Sequence, residues 1–329
     1  MLSAHDRDII RRDHRLPGLA TVLDPEIFAD ALRSALPDVT LEEPSVRYLR
    51  YKPGTNCLVA YRLKLDGRVS EVHAKAHRKD AFDKLHNALE KHRGESAMSP
   101  VIPSPLILEP MVAVYAFPSD RKLRALVKLA DGAKRKRMLV KLLPGHLELH
   151  GARLRPLRYK PERRFVAQLV TAVGAQAVVK LYDNHDFPRA RRGARVFRPA
   201  GPLALAPLLG GSSGQQALVW PWLSGRPLDQ ALRGARFNPA SARTVGAALA
   251  ALHAQKAESL EPLSRKEEIH SLFAAANALA FLLPELAARA RRLALALASA
   301  LMASPQQGCA LHGDFSADQA LLARGEAVL

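Results

Sequence analysis

Leu157-Arg158-Tyr159-Lys160-Pro161 repeats, residue for residue, the earlier stretch Leu49-Arg50-Tyr51-Lys52-Pro53. Each copy leads into an alternating run, Cys57-Leu58-Val59-Ala60-Tyr61 in the first and Phe165-Val166-Ala167-Gln168-Leu169 in the second. Each run is followed by a stretch with a single lysine, Lys75 in Val72-His73-Ala74-Lys75 and Lys180 in Ala177-Val178-Val179-Lys180. Alternation with a period of two marks half-buried strands, and Lys52-Pro53-Gly54-Thr55 and Asp66-Gly67 are turn signals between them. The spacing predicts strands over Val46–Tyr51, Cys57–Leu65 and Val69–His77, then a helix over Asp80–Arg93 that carries Phe82, Leu85 and Leu89. An arginine-rich chain can match five residues by chance, but the same strand order with a lysine at the same place makes duplication the better reading. Two copies are too few for a solenoid, so two small sheets in series are expected.

The 329 residues around this repeat are 48% apolar, enough to bury two or three cores, which excludes a disordered or collagen-like chain. Lys and Arg number 49 against 31 Asp and Glu, a formal charge of +18 that permits an anionic partner. A nucleic-acid partner is disfavoured, because 5% aromatic residues leave few rings to stack on bases and no recognition motif is present. The charge is uneven: Arg226–Leu329 carry a net +2 and the preceding 225 residues the other +16. Cys57 and Cys309 support neither a disulfide framework nor a cysteine zinc site. The N-terminus mixes Asp6, Asp8 and Asp13 with arginines, and no uncharged run approaches about 18 apolar residues. A cytoplasmic chain with no membrane partner is expected.

Asp24-Pro25-Glu26 opens a capped helix that Pro37 ends. Beyond the second repeat, Ala217–Leu223 reads as a strand leaving its sheet, and Ser224-Gly225-Arg226-Pro227-Leu228 turns it into a helix. Asn238-Pro239 starts another, which ends at Leu252-His253-Ala254. Helical spacing returns over Lys266–Leu301 with a break near Pro284, its Ala and Leu stripes read as core. Gly210-Gly211-Ser212-Ser213-Gly214 reads as a flexible hairpin and Lys134-Arg135-Lys136-Arg137 as a solvated helix face.

After these helices comes Leu311-His312-Gly313-Asp314-Phe315-Ser316-Ala317-Asp318-Gln319. It resembles the catalytic loop H-G-D-x-x-x-x-N of the aminoglycoside phosphotransferase and choline kinase group, the small-molecule branch of the protein-kinase-like fold. Four features in that family's order carry the resemblance: Lys180, the hinge-like Val219–Leu228, the helix ending at His253, and the loop. It spans Leu157–Leu329, and more loosely the first repeat. The fold it implies is α+β and protein-kinase-like. An N-terminal helical segment (1–40), a cap or pseudo N-lobe (41–150), a nucleotide-binding N-lobe (151–224) and an incomplete helical C-lobe (225–329) are expected.

The resemblance further implies transfer of a phosphoryl group from ATP, with Mg2+, to a hydroxyl of a small molecule such as a sugar, an amino alcohol or an aminoglycoside. A loose, strongly anionic transition state asks for positioning and positive charge. Lys180 would then neutralise phosphates, Val219, Trp220 and Leu223 would meet adenine, Asp314 would take or orient the proton of the attacking hydroxyl, and Gln319 would approach the metal. His312 and Gly313 are architectural. Neither G-x-G-x-x-G nor a Walker motif occurs, so Lys160 and Arg163 in the turn after Tyr159 are the candidates to meet phosphates with side-chain charge.

Three departures from the family pattern matter. Gln319 stands where the family has Asn, and its extra methylene shifts the donor oxygen. A kinase pairs its strand lysine with a helix glutamate, yet between Tyr182 and Arg226 the acids are Asp183 and Asp186, followed by Arg189, Arg191, Arg192, Arg195 and Arg198. The first repeat has Asp83 and Glu90 on its helix, so Lys75 remains an alternative to Lys180, although position directly before the hinge favours Lys180. Third, the family's second metal-binding Asp follows on a strand after the loop. Here Gly325-Glu326-Ala327-Val328-Leu329 reads as the turn and the beginning of that strand, so a chain truncated within its catalytic lobe is expected. Asp318 and Glu326 read as loop and turn acids. A catalytically inactive nucleotide-binding or regulatory module is the second reading. With no acid-rich patch in the C-terminal part, a neutral sugar or other alcohol fits at least as well as a cationic aminoglycoside.

Overall fold

The structure is a computed structural model that describes residues 2–81, 83, 85, 87, 102–103, 105–233, 239–256, 260–305, 308–313, 315–323 and 326–329. The chain divides into two compact units, Met1–Arg121 with Leu263–Ser304, and Lys122–Pro262 with Pro305–Leu329.

The first unit begins with helices α1 (Ala4–Arg12), α2 (Leu19–Leu23) and α3 (Pro25–Ala35). Pro25 sits in the first turn of α3, and the Asp24 carboxylate accepts from the backbone N–H groups of Glu26 and Ile27, which explains where the helix starts. Strands β1 (Leu41–Lys52), β2 (Asn56–Leu65), β3 (Arg68–His77), β4 (Leu106–Leu108) and β5 (Val112–Ala116) form an antiparallel sheet in the order β1-β2-β3-β5-β4. Its inner face packs on the helices: the rings of Phe28 and Tyr61 stack with centroids 4.2 Å apart. The Tyr61 hydroxyl donates to the Val22 carbonyl at 2.7 Å, so a fully buried phenol keeps its hydrogen bond. The buried Asp13 carboxylate accepts from the Tyr51 hydroxyl (2.6 Å) and the Gly54 N–H (2.8 Å), tying the first hairpin to the helices. Asp83, Leu85 and Asn87 are helical, as expected. The rest of the helix expected there, including Phe82, Leu89 and Glu90, lies outside the described residues.

The second unit starts with α4 (Leu126–Ala130) and α5 (Gly132–Leu142), followed by β6 (Arg153–Lys160), β7 (Arg164–Thr171), β8 (Gly174–Tyr182), α6 (Asp186–Val196), β9 (Leu203–Ala204), β10 (Gly210–Ser212) and β11 (Ala217–Pro221). After these come β12 (Arg226–Pro227), α7 (Leu228–Leu232), α8 (Pro239–His253), β13 (Leu321–Ala323) and β14 (Glu326–Val328). Its five-stranded sheet runs β6-β7-β8-β11-β10 and repeats the strand order of the first. The registers agree as well. Tyr51 pairs with Cys57 and the next residue, Leu58, with Lys75; Tyr159 pairs with Phe165 and the next residue, Val166, with Lys180. The two lysines therefore occupy the same ladder position. The third residue of the first hairpin turn is left-handed in both sheets, Gly54 at φ +63° and Glu162 at φ +59°.

A second, four-stranded sheet has the order β12-β13-β14-β9, with β14 parallel to β9. Leu203, Leu228, Val245, Ala248, Leu252, Ala320 and Ala327 form the core between it and helices α7 and α8. The strand expected after the loop is thus present as β14.

Three expectations need correction. Gly210–Gly214 lies in a hairpin as expected, but Gly210-Gly211-Ser212 form its paired edge strand β10, with Gly210 opposite Val219. A Cβ at Gly210 would stand 2.1 Å from the Leu142 carbonyl oxygen, so only glycine lets α5 come this close. The basic face of α5 is not wholly solvated, because Arg135 donates to the carbonyls of Leu129, Ala130 and Ala152. Finally, α9 (Arg265–Leu282) and α10 (Ala287–Ala303), broken around Pro284, group with the first sheet instead of the loop they precede. Their stripes are not core: Ala276 and Ala294 are buried, whereas Leu279, Leu293, Leu295 and Leu297 are exposed, Leu293 by 59%. Among the described residues no helix is long and apolar enough to cross a membrane.

Gly210→Ala places a methyl group against a backbone carbonyl that has no rotamer to give way. It is expected to cost about 1–3 kcal/mol, read as a lower urea midpoint with an unchanged m-value.

Candidate functional site

Lys180 sits near the end of β8 between Val166 of β7 and Leu218 of β11. Side chains alternate across a strand, so Lys180, Leu218 and Trp220 share one face. The Lys180 Nζ lies 4.8 Å from the centroid of the Trp220 ring, a cation–π distance. Burial, with the Arg164 charge as a second cause, holds its ammonium below the usual lysine range. Among the described residues no carboxylate pairs with it. Val219 is fully buried opposite Val179 and points to the other face, so the sheet does not bring its side chain to Lys180. The Trp222 N–H donates to the Gln176 carbonyl at 2.8 Å, which fixes the course of the hinge just before half-buried Leu223.

The turn between β6 and β7 carries Lys160 and Arg163. Partial burial and the charges of Arg158, Arg164 and Arg163 push the Lys160 ammonium down, with Asp318 opposing them. Arg163 lies 3.6 Å from Asp186 at the start of α6, and Arg158 of β6 lies 3.6 Å from Asp318 in the loop after Gly313. This basic turn is therefore electrostatically tied to both α6 and the H-G-D loop.

The loop itself is held at several points. Its His312 N–H faces the Nε2 of His253, the last residue of α8, at 3.5 Å, and the His312 ring meets Phe315 edge-on with centroids 5.5 Å apart. Gly313 has φ +89°, a region that L side chains avoid, and a Cβ there would stand 2.7 Å from an Nη of Arg189. Asp314 lies outside the described residues. Ala317–Gln319 form a 3-10 turn, closed by the Gln319 N–H on the Ser316 carbonyl at 2.9 Å, and Gln319 is exposed. The Asp318 carboxyl is held below the usual range, first by the Ser316 hydroxyl and then by Arg158. The backbone beyond the loop docks on the hinge exit. Leu228 N–H donates to the Ala320 carbonyl at 2.9 Å, and a Cβ on Gly225 would lie 2.7 Å from the Leu322 carbonyl oxygen.

One group with metal-ligand spacing occurs among the described residues, Asp183, His185 and Asp186, with donor atoms within 4.8 Å of one another. Asp183 is buried and accepts from the N–H groups of His185 (3.1 Å) and Asp186 (2.8 Å), so it shapes the entry to α6. The sequence shows Asp183 and Asp186 as the acids of this stretch; the turn that gathers them with His185 follows from Asp-Asn-His-Asp being a capping sequence. The links from Arg158 and Arg189 to the loop escape sequence reasoning, because they join residues more than a hundred positions apart.

The succession of strand lysine, hinge and glycine-turned loop in one compact unit is the organisation of a phosphotransferase. The model of the phosphotransferase enzyme family matches residues 120–328, more than half of the chain and beginning after the first sheet, so the chain belongs to that family, the aminoglycoside phosphotransferase and choline kinase-like group. A search of the curated proteins finds no match.

Replacing a desolvated charge that has no carboxylate partner among the described residues by an isosteric apolar chain relieves burial cost. Lys180→Met is expected to raise stability by about 1 kcal/mol, or Tm by roughly 2–4 °C, while nucleotide binding falls at least tenfold. Parallel thermal melts and nucleotide titrations check both halves.

Proposed function

We propose that the protein is an ATP-dependent kinase that acts, with Mg2+, on a hydroxyl of a small molecule, a neutral sugar or other alcohol ahead of a cationic aminoglycoside. The observation that carries this reading is Lys180: an ammonium held in a half-buried position on the face of Trp220, with no carboxylate paired to it among the described residues, fits a phosphate group as its counter-ion. Lys160 supplies further positive charge from the β6–β7 turn, with Arg163 behind it. Trp220 and Leu223 offer the adenine its apolar contacts, and Val219 contributes backbone. Lys180 has position before the hinge in its favour over Lys75, which is buried in the equivalent sheet.

In the reaction so assigned, the acceptor oxygen attacks the terminal phosphorus, the bond to the departing ADP breaks, and the hydroxyl proton passes to Asp314. Arg189, against Gly313, and the His312–His253 contact hold the loop that carries Asp314. Gln319 offers Mg2+ an amide oxygen, a hard neutral donor on an exposed turn, which suits the ion's preference for oxygen. When bound, Mg2+ supplies positive charge for the phosphate oxygens.

We extend the reading to the architecture: residues 151–224 are the nucleotide-binding lobe, and the sheet of residues 41–116 is its duplicated, cap-like counterpart, supported by the shared strand order, the shared lysine register and the left-handed turn residues; residues 122–150 of the expected 41–150 cap, with α4 and α5, group with the second unit. The chain works in the cytoplasm without a membrane or nucleic-acid partner. One observation favours a second reading, an inactive nucleotide-binding module: α6 presents arginines where a kinase helix has the glutamate that pairs with its lysine.

Release of ADP, followed while sugars, amino alcohols and aminoglycosides are offered in turn, tests the proposal. Turnover with one acceptor is expected, and Asp314→Ala should lower kcat by about 10²–10⁴-fold with little change in ATP affinity. ATP binding that ignores Mg2+, without turnover on any acceptor, would establish the inactive module instead.

A further inference from the structure

Helix α6 and the residues just beyond it bear five arginines with no acid among them after Asp186. Four, Arg191, Arg192, Arg195 and Arg198, line a concavity of about 670 Å³ together with Ser213 from the β10–β11 hairpin and the buried ring of Phe187. That volume lies in the range of small-molecule sites, about 300–1,000 Å³. Neither Lys180, Trp220 nor the H-G-D loop lines it.

The guanidinium groups are not an unordered fringe. Arg191 donates to the Ser213 hydroxyl at 2.8 Å, which fixes it against the hairpin. Arg198 donates to the carbonyls of Arg195 (2.7 Å) and Phe197 (3.3 Å), and its own backbone is clamped at N–H and C=O by the amide of Gln255 (3.0 and 2.7 Å). Arg192 shares an exposed ion pair with Glu261 at 3.3 Å. The Arg195 guanidinium has no partner among the described residues. Four like charges around one hollow, with one exposed carboxylate near them, repel one another until an anion enters. The four arginines come from α6 and the segment just after it and border one open hollow, whose floor includes Pro188 and Val196. A centre with several equivalent charged oxygens can be met by more than one guanidinium at once, as a single planar carboxylate cannot.

We infer that the α6 concavity is a binding site for a small, multiply charged phosphate compound, separate from the site around Lys180. An inorganic oligophosphate and a sugar phosphate share this chemistry, and the two are told apart by which one saturates the site. The hollow is too small to single out a polymer, so RNA is the competing occupant to be tested.

Calorimetric titration of the full chain, without nucleotide or acceptor, reads the site independently of any phosphoryl transfer. Inorganic tripolyphosphate and a hexose 6-phosphate are the small-molecule probes, and a short ribo-oligonucleotide is the third. Saturable binding of one small phosphate is expected, weakened about a hundredfold by Arg191→Ala with Arg195→Ala and at least tenfold by Arg195→Glu alone, a change at an exposed position that leaves the Ser213 contact in place. Lys180→Met should keep the binding, and so should Arg153→Ala with Arg155→Ala, which removes the same charge from β6. The inference is overturned if neither small phosphate saturates, if only the oligonucleotide binds, if the β6 pair costs as much as the α6 pair, or if Lys180→Met alone abolishes binding.

Discussion

A half-buried ammonium that no carboxylate among the described residues pairs with governs the second unit. Lys180 loses hydration on β8 and recovers part of it from the Trp220 ring, an interaction worth about 0.5–2 kcal/mol. That return is smaller than a charge-assisted hydrogen bond would give twice over, so the site remains short of negative charge. The surrounding charges deepen the shortage: Arg164 flanks Lys180, and Arg158, Arg163 and Lys160 crowd the adjacent turn. Asp318 and Asp186 pair with Arg158 and Arg163, and Asp318 offsets part of the repulsion on Lys160. The phosphate group of the proposed substrate would answer this imbalance.

Much of this was legible in the sequence. Period-two alternation and the repeated Leu-Arg-Tyr-Lys-Pro gave the first three strands of each sheet and β11, but not β4, β5 or β10, and the paired lysines occupy the same register in the two ladders. The loop was legible from its place after a strand lysine, a hinge and the helix ending at His253, since His-Gly-Asp alone is a weak signal. What escaped has a physical pattern. The stripes of α9 and α10 state which face is apolar but not whether anything covers it, and Leu293 is exposed. Val219 looked equivalent to Trp220 in a linear reading, yet alternation turns the two to opposite faces. The arginines of α6 were visible only as a missing glutamate; the contact of Arg191 with Ser213 depends on a hairpin packed beside the helix.

The net charge of +18 also acquires a location. In the second unit basic residues run along α5 and gather at the β6–β7 turn and along α6, while the described part of the loop and β14 carry the acids Asp318 and Glu326. Interleaved carboxylates such as Asp186 and Asp318 set spacing and orientation for their arginine neighbours and leave the field above them positive. The charge therefore says more about what approaches these two places than about the chain's solubility at large.

The chain leaves the second unit at Pro262, builds the α9–α10 hairpin of the first, and comes back at Pro305 for the loop and the last two strands. During synthesis α8 emerges long before the strand that completes its core, since β9 pairs in parallel with β14 across Leu203 and Ala327. Leu203, Leu228, Val245 and Leu252 must wait, uncovered, for that partner. Pairing over so long a separation is slow, and apolar surface left open meanwhile is what chaperones hold. The two units are thus interlocked in time: neither finishes folding before the ribosome has passed through the other.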